Sequence, residues 1–318
     1  MNSLKRSSRN RIFLTCGALL LLISAVLSLC IGSSGFAVSG AIFRYVRLPR
    51  TCACLLAGAG LAAAGAVLQS VLANPLASPG IIGVNAGAGL GVTVCCAAGA
   101  LSGWMISGAA FLGSLSAVTV ITLAAYRTGA SRSTVILGGV AVNSLLNAFS
   151  ESVAVLNPDA AALTTEFRVG GFSAVSHVRL VPAAVLILAA LALLMTLSNE
   201  LDVLTLGDET AQGLGMSVRR TKTVFLLLAS LLAGASVSFA GLLGFIGLIV
   251  PHFARKIAGN ESRILLPACA LYGGAFVTLC DLIARVAFAP YELPVGILMS
   301  VIGAPFFVLL LMKHKGGD

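Results

Sequence analysis

The sequence predicts an all-α integral membrane protein with about ten transmembrane helices, and three observations support this. Of its 318 residues, 58% are hydrophobic and only 10% are charged, whereas about 25% are charged in a typical soluble domain. The uncharged runs are long, and the longest extends from residue 51 to residue 126. The apolar residues follow one another without the alternation of a β-barrel strand. This composition excludes a disordered chain, a nucleic-acid-binding domain and an ordinary soluble enzyme.

The predicted helices correspond to the uncharged stretches, because a membrane-spanning helix needs about 20 mostly apolar residues. The run 51–126 is interrupted at Asn74-Pro75-Leu76-Ala77-Ser78-Pro79-Gly80, a turn sequence that a helix would not continue through. The run 223–254 has Gly241 and Gly244 inside it and is interpreted as two shorter helices. We place ten helices at 12–32, 51–73, 80–99, 104–125, 134–156, 180–198, 222–240, 243–257, 264–284 and 293–312, all within one transmembrane domain, 1–318.

The distribution of Lys and Arg predicts the orientation. If the chain starts inside, 14 of the 20 basic residues fall on the inner side and six on the outer side. Both termini are then cytoplasmic, with residues 1–11 as a tail. The first span has the basic start of a cleaved signal peptide. Its uncharged stretch is long and further spans follow, so we expect it to be retained.

Several chemical motifs are absent from the sequence. It contains no Gly-x-x-x-x-Gly-Lys-Ser/Thr loop for binding phosphates, so we do not expect an enzyme, and any ATP-driven transport would need a separate ATPase chain. Three dispersed histidines give no metal-binding spacing, and no cofactor is expected in this chain. The eight cysteines fall in or beside predicted helices and are interpreted as small packing residues.

The first of four informative polar stretches is Arg44-x-x-Arg47-Leu48-Pro49-Arg50, on the predicted outer side. These arginines either anchor the following helix at the interface or dock an acidic partner. The second stretch is the uncharged inner turn at 74–80. It is either a simple turn or a constriction at the inner mouth of a pathway.

The third stretch, 199–222, is the longest polar segment and lies on the predicted inner side. Thr205 or Gly207 would cap a short helix that begins at Asp208-Glu209 and ends at Gly213 or Gly215. Short amphipathic helices parallel to the membrane would form a flat surface for a soluble partner. A plain loop is the alternative.

The fourth stretch is Asp281–Arg285, at the outer end of the ninth predicted helix, with the i,i+4 spacing of a local salt bridge. Ionisable residues within a membrane also suggest function, and Glu151 in the fifth helix has the same two interpretations. A secondary transporter driven by an ion gradient would use such acids near the midplane, but both are close to helix ends. An intramembrane enzyme would need a catalytic constellation, which we do not find.

In order along the chain, these stretches resemble the permease subunits of bacterial ABC importers for iron-siderophore, haem and cobalamin, the FecCD family. The resemblance covers about residues 12–313. The matching residues are Arg47-Leu48-Pro49-Arg50; Ala57-Gly58-Ala59, Gly65 and Gln69; Asn74-Pro75-Leu76-Ala77-x-Pro79; Leu206-Gly207-Asp208-Glu209-x-Ala211-x-x-Leu214-Gly215; Gly244-Phe245-Ile246-Gly247-Leu248-Ile249-Val250-Pro251-His252-x-x-Arg255; Asp281-x-x-Ala284-Arg285; and Glu292-Leu293-Pro294-Val295-Gly296 with Gly303-Ala304-Pro305-x-Phe307.

The resemblance implies a type II ABC importer permease with ten helices in the bacterial inner membrane. It implies a second permease copy, as a homodimer or a close heterodimer, two cytoplasmic ATPase subunits that bind ATP and Mg, and an extracytoplasmic binding protein. The pathway would follow the dimer interface along the fifth and tenth helices. Iron-siderophore is the first expected cargo, before haem or cobalamin.

The resemblance also assigns residues to three roles. Arg47, Arg50 and Arg285 would pair with acidic residues of the binding protein. The inner gate would include Asn74, Leu76, Ser131 and Thr134. The ATPase would couple through the segment that contains Leu206, Gly207, Asp208, Glu209, Ala211, Leu214 and Gly215.

Overall fold

A computed structural model describes residues 2–32, 35–36, 40–128 and 132–314, and helices account for most of them. The elements, in order, are α1 (Asn2–Cys30), β1 (Ile31–Gly32), β2 (Gly35–Phe36), α2 (Gly40–Ile42), a π-helical turn (Phe43–Arg47), α3 (Leu48–Val71), α4 (Val84–Ala97), α5 (Gly103–Thr128), α6 (Arg132–Leu156), α7 (Pro158–Val169), α8 (His177–Thr196), α9 (Ser198–Thr205), α10 (Asp208–Gly213), α11 (Val218–Ala240), α12 (Ile246–Ala258), α13 (Ser262–Val286) and α14 (Val295–His314). The two short strands form an antiparallel pair.

The predicted all-helical membrane fold is confirmed. Each of the ten predicted helices has a counterpart: α1, α3, α4, α5, α6, α8, α11, α12, α13 and α14. Among the described residues, seven helices are long and apolar enough to cross a membrane, and α4 and the described stretch Val295–Leu310 of α14 are shorter apolar helices. The helix α1 already begins at Asn2, so residues 2–11 of the predicted tail are helical, and the apolar span within this helix is Ser8–Cys30.

The helix α7 is an element that the sequence analysis did not predict. It begins at Pro158, a residue that suits the first turn of a helix because it has no N–H to satisfy. It ends at Gly170, which has a positive φ of 78°. The sequence analysis places no helix between residues 156 and 180 and counts the basic residues there on the outer side.

The helix α3 lies at the centre of the bundle and packs against α11, α12 and α13. The contact with α13 depends on small residues, because a Cβ atom added at Gly58 would lie 2.1 Å from the carbonyl oxygen of Gly273. At Gly65 the same addition would meet the backbone of Gly247 on α12. Such close approach of backbones is the usual basis of helix packing inside membranes.

Two helices are too short to cross the membrane. The 14 residues of α4 and the 13 residues of α12 extend only about 20 Å at 1.5 Å per residue, against a hydrocarbon core of about 30 Å. Irregular backbone is therefore expected at membrane depth beside these helices, and the segments before them, 72–83 and 241–245, are the candidates. Irregular backbone is tolerated there only where protein or water satisfies its polar groups.

Contacts with neighbouring segments satisfy part of this irregular backbone. Leu242 N donates to Phe167 O of α7 at 2.9 Å, and Gly171 N donates to Ala240 O at 2.8 Å. The side chain of Asn143 on α6 donates to Gly80 O at 2.8 Å and to Ile81 O at 3.1 Å. The unpredicted α7 thus supports one break, and the polar face of α6 supports the other.

Candidate functional site

Two of the three predicted docking arginines, Arg50 and Arg285, meet in a buried ionic cluster at one end of the bundle, which we call the Arg50 end. The carboxylate of Asp281 accepts hydrogen bonds from Arg50 Nε, at 3.1 and 3.2 Å, and from Arg50 Nη2, at 3.0 Å. Arg285 Nε lies 3.1 Å from Asp281 Oδ2, an ion pair whose angle falls outside hydrogen-bond geometry. Arg50 Nη1 also contacts Glu292 Oε2 at 2.6 Å. The local salt bridge predicted between Asp281 and Arg285 is therefore present, within a larger cluster.

The same arginines hold the last turn of α1. Arg47 Nη1 donates to Leu29 O at 3.1 Å and to Cys30 O at 2.8 Å, and Arg285 Nη2 donates to Ser28 Oγ at 2.8 Å. Cations favour the C-terminus of a helix because its last carbonyl groups lack partners. The side chains of Arg47, Arg50 and Arg285 are buried in the single chain, at 3%, 8% and 3% exposure.

The opposite end of the bundle, which we call the Asp208 end, contains the residues of the predicted gate. Asn74 Oδ1 accepts a hydrogen bond from Leu76 N at 2.8 Å, so the Asn74 side chain shapes the turn that contains both residues. Thr134 is exposed in the first turn of α6. Ser131 lies outside the described residues.

The turn and α6, the two parts of the predicted gate, are in contact through residues that the sequence analysis did not select. The amide of Asn143 donates to the carbonyls of Gly80 and Ile81. A Cβ atom added at Gly139 would lie 2.5 Å from Ile81 O, so α6 passes very close to the segment after the turn. A displacement of α6 would therefore be transmitted to this segment.

The predicted coupling segment contains two short helices, α9 and α10. As predicted, Gly207 precedes the helix that starts at Asp208-Glu209 and ends at Gly213, and its φ of 105° favours glycine. Ala211 is buried and fixes α10 against the bundle, whereas Leu206 and Leu214 are 60% and 66% exposed. Glu209 and Gly215 are also exposed. The segment thus presents two large apolar side chains at the surface.

Asp208 connects this segment to two long helices. Its carboxylate pairs with Arg132 Nη2 of α6 at 2.5 Å and with Lys222 Nζ of α11 at 2.5 Å. Partial burial opposes ionisation of Asp208, but hydrogen bonds from Lys222 and Arg132 outweigh that effect and lower its pKa below the usual value. The carboxylate is therefore charged at neutral pH, and it joins the coupling segment to the helix that carries Thr134.

Two further contacts fix the Asp208 end. Asp202 Oδ1 on α9 accepts a hydrogen bond from Ser262 N at the start of α13, at 2.9 Å. A carboxylate is favourable at that position because the first N–H groups of a helix are unpaired. Arg255 of α12 donates to Ala66 O at 3.0 Å and to Ser70 Oγ at 2.9 Å on α3. The first contact links the coupling segment to α13, the helix that also carries Asp281 and Arg285, and the second links α12 to α3.

The sequence analysis missed Arg132, Lys222 and Asn143. Arg132 and Lys222 were counted only as inner basic residues. Asn143 is part of a polar face on α6 with Asn147 and Ser150, at i,i+4 and i,i+7. That helical spacing was the available signal, because polar residues on one face of a membrane helix mark contact with protein or water.

Comparisons with known proteins agree with this arrangement. The profile of the FecCD transport family matches residues 12–313. The vitamin B12 import system permease protein BtuC of Escherichia coli O127:H6 is 36% identical over 328 residues, which is 97% of each chain. The same protein of Citrobacter koseri is 36% identical over 98% of this chain and 97% of its own.

A solved structure provides a further comparison. A transporter assigned to the metal-chelate type of ABC transporters, in an inward-facing conformation, is 30% identical and matches with a TM-score of 0.86. The match covers 94% of this chain and 98% of that chain. The similarity therefore extends over the bundle as a whole.

Proposed function

The chain belongs to the FecCD transport family and is the permease of an ABC importer in the inner membrane, and we propose that it carries a metal chelate into the cytoplasm by alternating access. Such a permease is a transport component, not an enzyme, and works with an ATPase and a binding protein. We place both termini and the Asp208 end in the cytoplasm, where ATP and Mg bind to two separate ATPase subunits.

The observation that carries the proposal is the connection at Asp208. The exposed Leu206 and Leu214 supply an apolar contact surface for an ATPase subunit. Asp208, between them in sequence, is ion-paired to Arg132 at the start of α6. Movement of the coupling segment would thus displace α6, and with it the proposed gate at Asn74, Leu76, Ser131 and Thr134.

A second copy of the chain is part of the proposal. Large apolar side chains of α6 and α14 are uncovered in the single chain, including Leu137, Val155, Val301 and Leu309. These helices also carry polar groups, and Asn147 and Glu151 of α6 are exposed. Polar groups such as these are unfavourable in lipid. In a homodimer with a pathway between its copies, the apolar side chains would pack in the interface and the polar groups would face the pathway.

We assign docking of the binding protein to the Arg50 end. Arg50 already has a carboxylate from Glu292, whose side chain is 31% exposed. A carboxylate of the binding protein would replace Glu292 at Arg50 and approach the neighbouring Arg47 and Arg285. Docking would therefore exchange one carboxylate for another at Arg50, and the displaced Glu292, already partly exposed, would turn to water.

The candidate cargoes are cobalamin, iron-siderophore and haem. The sequence favours iron-siderophore, and because the chain is similar to vitamin B12 permeases we propose to test cobalamin first. The permease would be reconstituted in proteoliposomes with its ATPase and loaded binding protein. ATP-dependent accumulation of one of these compounds is expected, and accumulation of none would refute the proposed function.

The coupling surface is tested by replacing both Leu206 and Leu214 with Glu. We expect the ATPase to be lost from the purified complex, because two charges would replace the apolar contacts. The matched control is Leu101→Glu, an exposed leucine at 52% in the loop between α4 and α5. An ATPase that remains bound to the double variant, with normal uptake, would contradict the assignment.

Docking is tested by a gain of affinity, which a folding defect would not produce. In Glu292→Gln, Arg50 loses its competing carboxylate, and the binding protein should bind about two- to tenfold more tightly, the value of one hydrogen bond. Arg47→Glu with Arg50→Glu should abolish docking. Affinities would be measured with the permease in nanodiscs, and weaker binding to Glu292→Gln would contradict the exchange.

A further inference from the structure

A polar cavity of about 330 Å³ lies between α4, α6 and α7. Its polar lining combines side-chain amides, one hydroxyl and one guanidinium. These residues are Asn85, Asn143, Asn147, Ser150 and Arg168. Such a lining is unusual in a chain with only 10% charged residues. Asn143 also holds the segment after the turn, and Asn147 faces the proposed pathway, but no binding role has been assigned to the cavity itself.

The cavity lies where the two irregular segments at membrane depth meet. Gly80, from the segment before α4, and Leu242, from the segment before α12, both line it. Asn143 is 11 residues beyond the start of α6 at Arg132, which is about 16 Å along the helix axis. The cavity is therefore near the middle of the bundle, where interrupted helices in transporters often form a binding site.

The polar groups of the cavity differ in their hydrogen bonding. Ser150 Oγ lies 2.9 Å from Thr93 Oγ1 and accepts a hydrogen bond from Arg168 Nη2 at 2.9 Å. The amides of Asn85 and Asn147 have no hydrogen-bond partner among the residues that the structure describes. Polar groups at this depth without partners are costly unless they meet water or a polar ligand.

The wall formed by α4 leaves space for a ligand. A Cβ atom added at Gly89 would meet nothing within 4 Å, in contrast to Gly87 and Gly91 on the same helix, where it would clash with the backbone of α5. Gly87 and Gly91 therefore serve packing, whereas Gly89 keeps the cavity open. A larger side chain at Gly89 would fill the cavity without displacing α5.

We propose that this cavity binds a carboxamide or carboxylate side group of the cargo as it passes through the permease. The oxygen of such a group would accept hydrogen bonds from Arg168 and from the amides of Asn85 and Asn147. This inference rests on the proposed import of a metal chelate and adds a site at mid-membrane. The cargo's side group, held beside α6, would keep the chelate oriented along the pathway.

The test uses the full permease with its ATPase and binding protein in proteoliposomes, with cyanocobalamin as the carboxamide probe and haem as the carboxylate probe. Gly89→Leu should reduce uptake at least tenfold, because the side chain occupies the cavity. Gly108→Leu is the matched control, a helical glycine on α5 that also has nothing within 4 Å, and should transport normally. Asn147→Ala should reduce uptake about two- to tenfold, the value of one hydrogen bond.

Arg168→Gln distinguishes the two side groups, since it retains a donor but removes the charge. Uptake of the carboxylate probe should fall about 10- to 100-fold, and uptake of the carboxamide probe about two- to tenfold. Normal uptake by Gly89→Leu and Asn147→Ala would show that the cavity holds only water and would overturn the inference alone. Uptake of neither probe by the wild type would refute import of cobalamin and haem and, with it, the cavity's assignment to their side groups.

Discussion

Replacing Asp281 with Asn should strongly destabilise the permease. Asp281 is 1% exposed and is the carboxylate shared by Arg50 and Arg285, two buried cations that lie beside it. The amide of Asn would remove the carboxylate that Arg50 and Arg285 share, and Glu292, the other carboxylate at Arg50, is already 31% exposed. Breaking a buried ion pair from one side costs about 3–5 kcal/mol, which corresponds to a fall of roughly 10 °C in the unfolding midpoint.

The chain contains its own probe for this measurement. All eight cysteines are free thiols and four of them, Cys54, Cys96, Cys269 and Cys280, are buried. A thiol-reactive dye would therefore report unfolding of the purified permease. The control is Asp208→Asn. The side chain of Asp208 is 43% exposed, so each of its ion pairs should contribute at most about 1 kcal/mol to stability. Equal midpoints for the two variants would refute the argument that burial determines the cost.

Three other measurements address the Asp208 end and the packing of α3. The pKa of Asp208 is lowered, so its ion pairs stabilise the fold above the ordinary carboxylate pKa, and this stabilisation is lost only as the pH falls through the lowered pKa. Titration of Asp208 should therefore not change the coupled ATPase activity between pH 5 and 8. Gly58→Ala should lower the unfolding midpoint because its methyl group meets the backbone of α13, whereas Gly108→Ala should not; equal midpoints would contradict the packing. Asp202→Ala should cost about 1 kcal/mol, as the loss of a helix cap does, and an unchanged midpoint would show that the contact with Ser262 is not stabilising.

Much of the fold was predictable because membrane helices leave a strong one-dimensional signal. Long uncharged runs gave the ten helices, and Gly207 with Asp208-Glu209 gave α10 with its start and end. The helix α7 was missed because it supports the break before α12 through backbone contacts of Phe167 and Gly171. Such contacts depend on neighbouring segments, and the local composition does not show them.

The candidate site was predictable only in part. In sequence, Arg50 and Asp281 are more than 200 residues apart, and the outer arginines are interpreted either as anchors of the following helix or as docking residues. The folded chain buries Arg47, Arg50 and Arg285 against the end of α1 and against Asp281 and Glu292, an arrangement that neither interpretation contains. Pairing of this kind depends on which helix ends meet, and this is set by the packing of α1, α3 and α13.

The sequence by itself determined the membrane environment, the positions of ten long or apolar helices and the family resemblance, because hydrophobic length and motif order are properties of the chain alone. The tertiary structure decided which charges are neutralised, that Asp208 joins the coupling segment to α6, and that two interrupted helices enclose a polar cavity. Those features arise from contacts between residues distant in sequence. The packing that creates them depends on the close approach of backbones at residues such as Gly58 and Gly139.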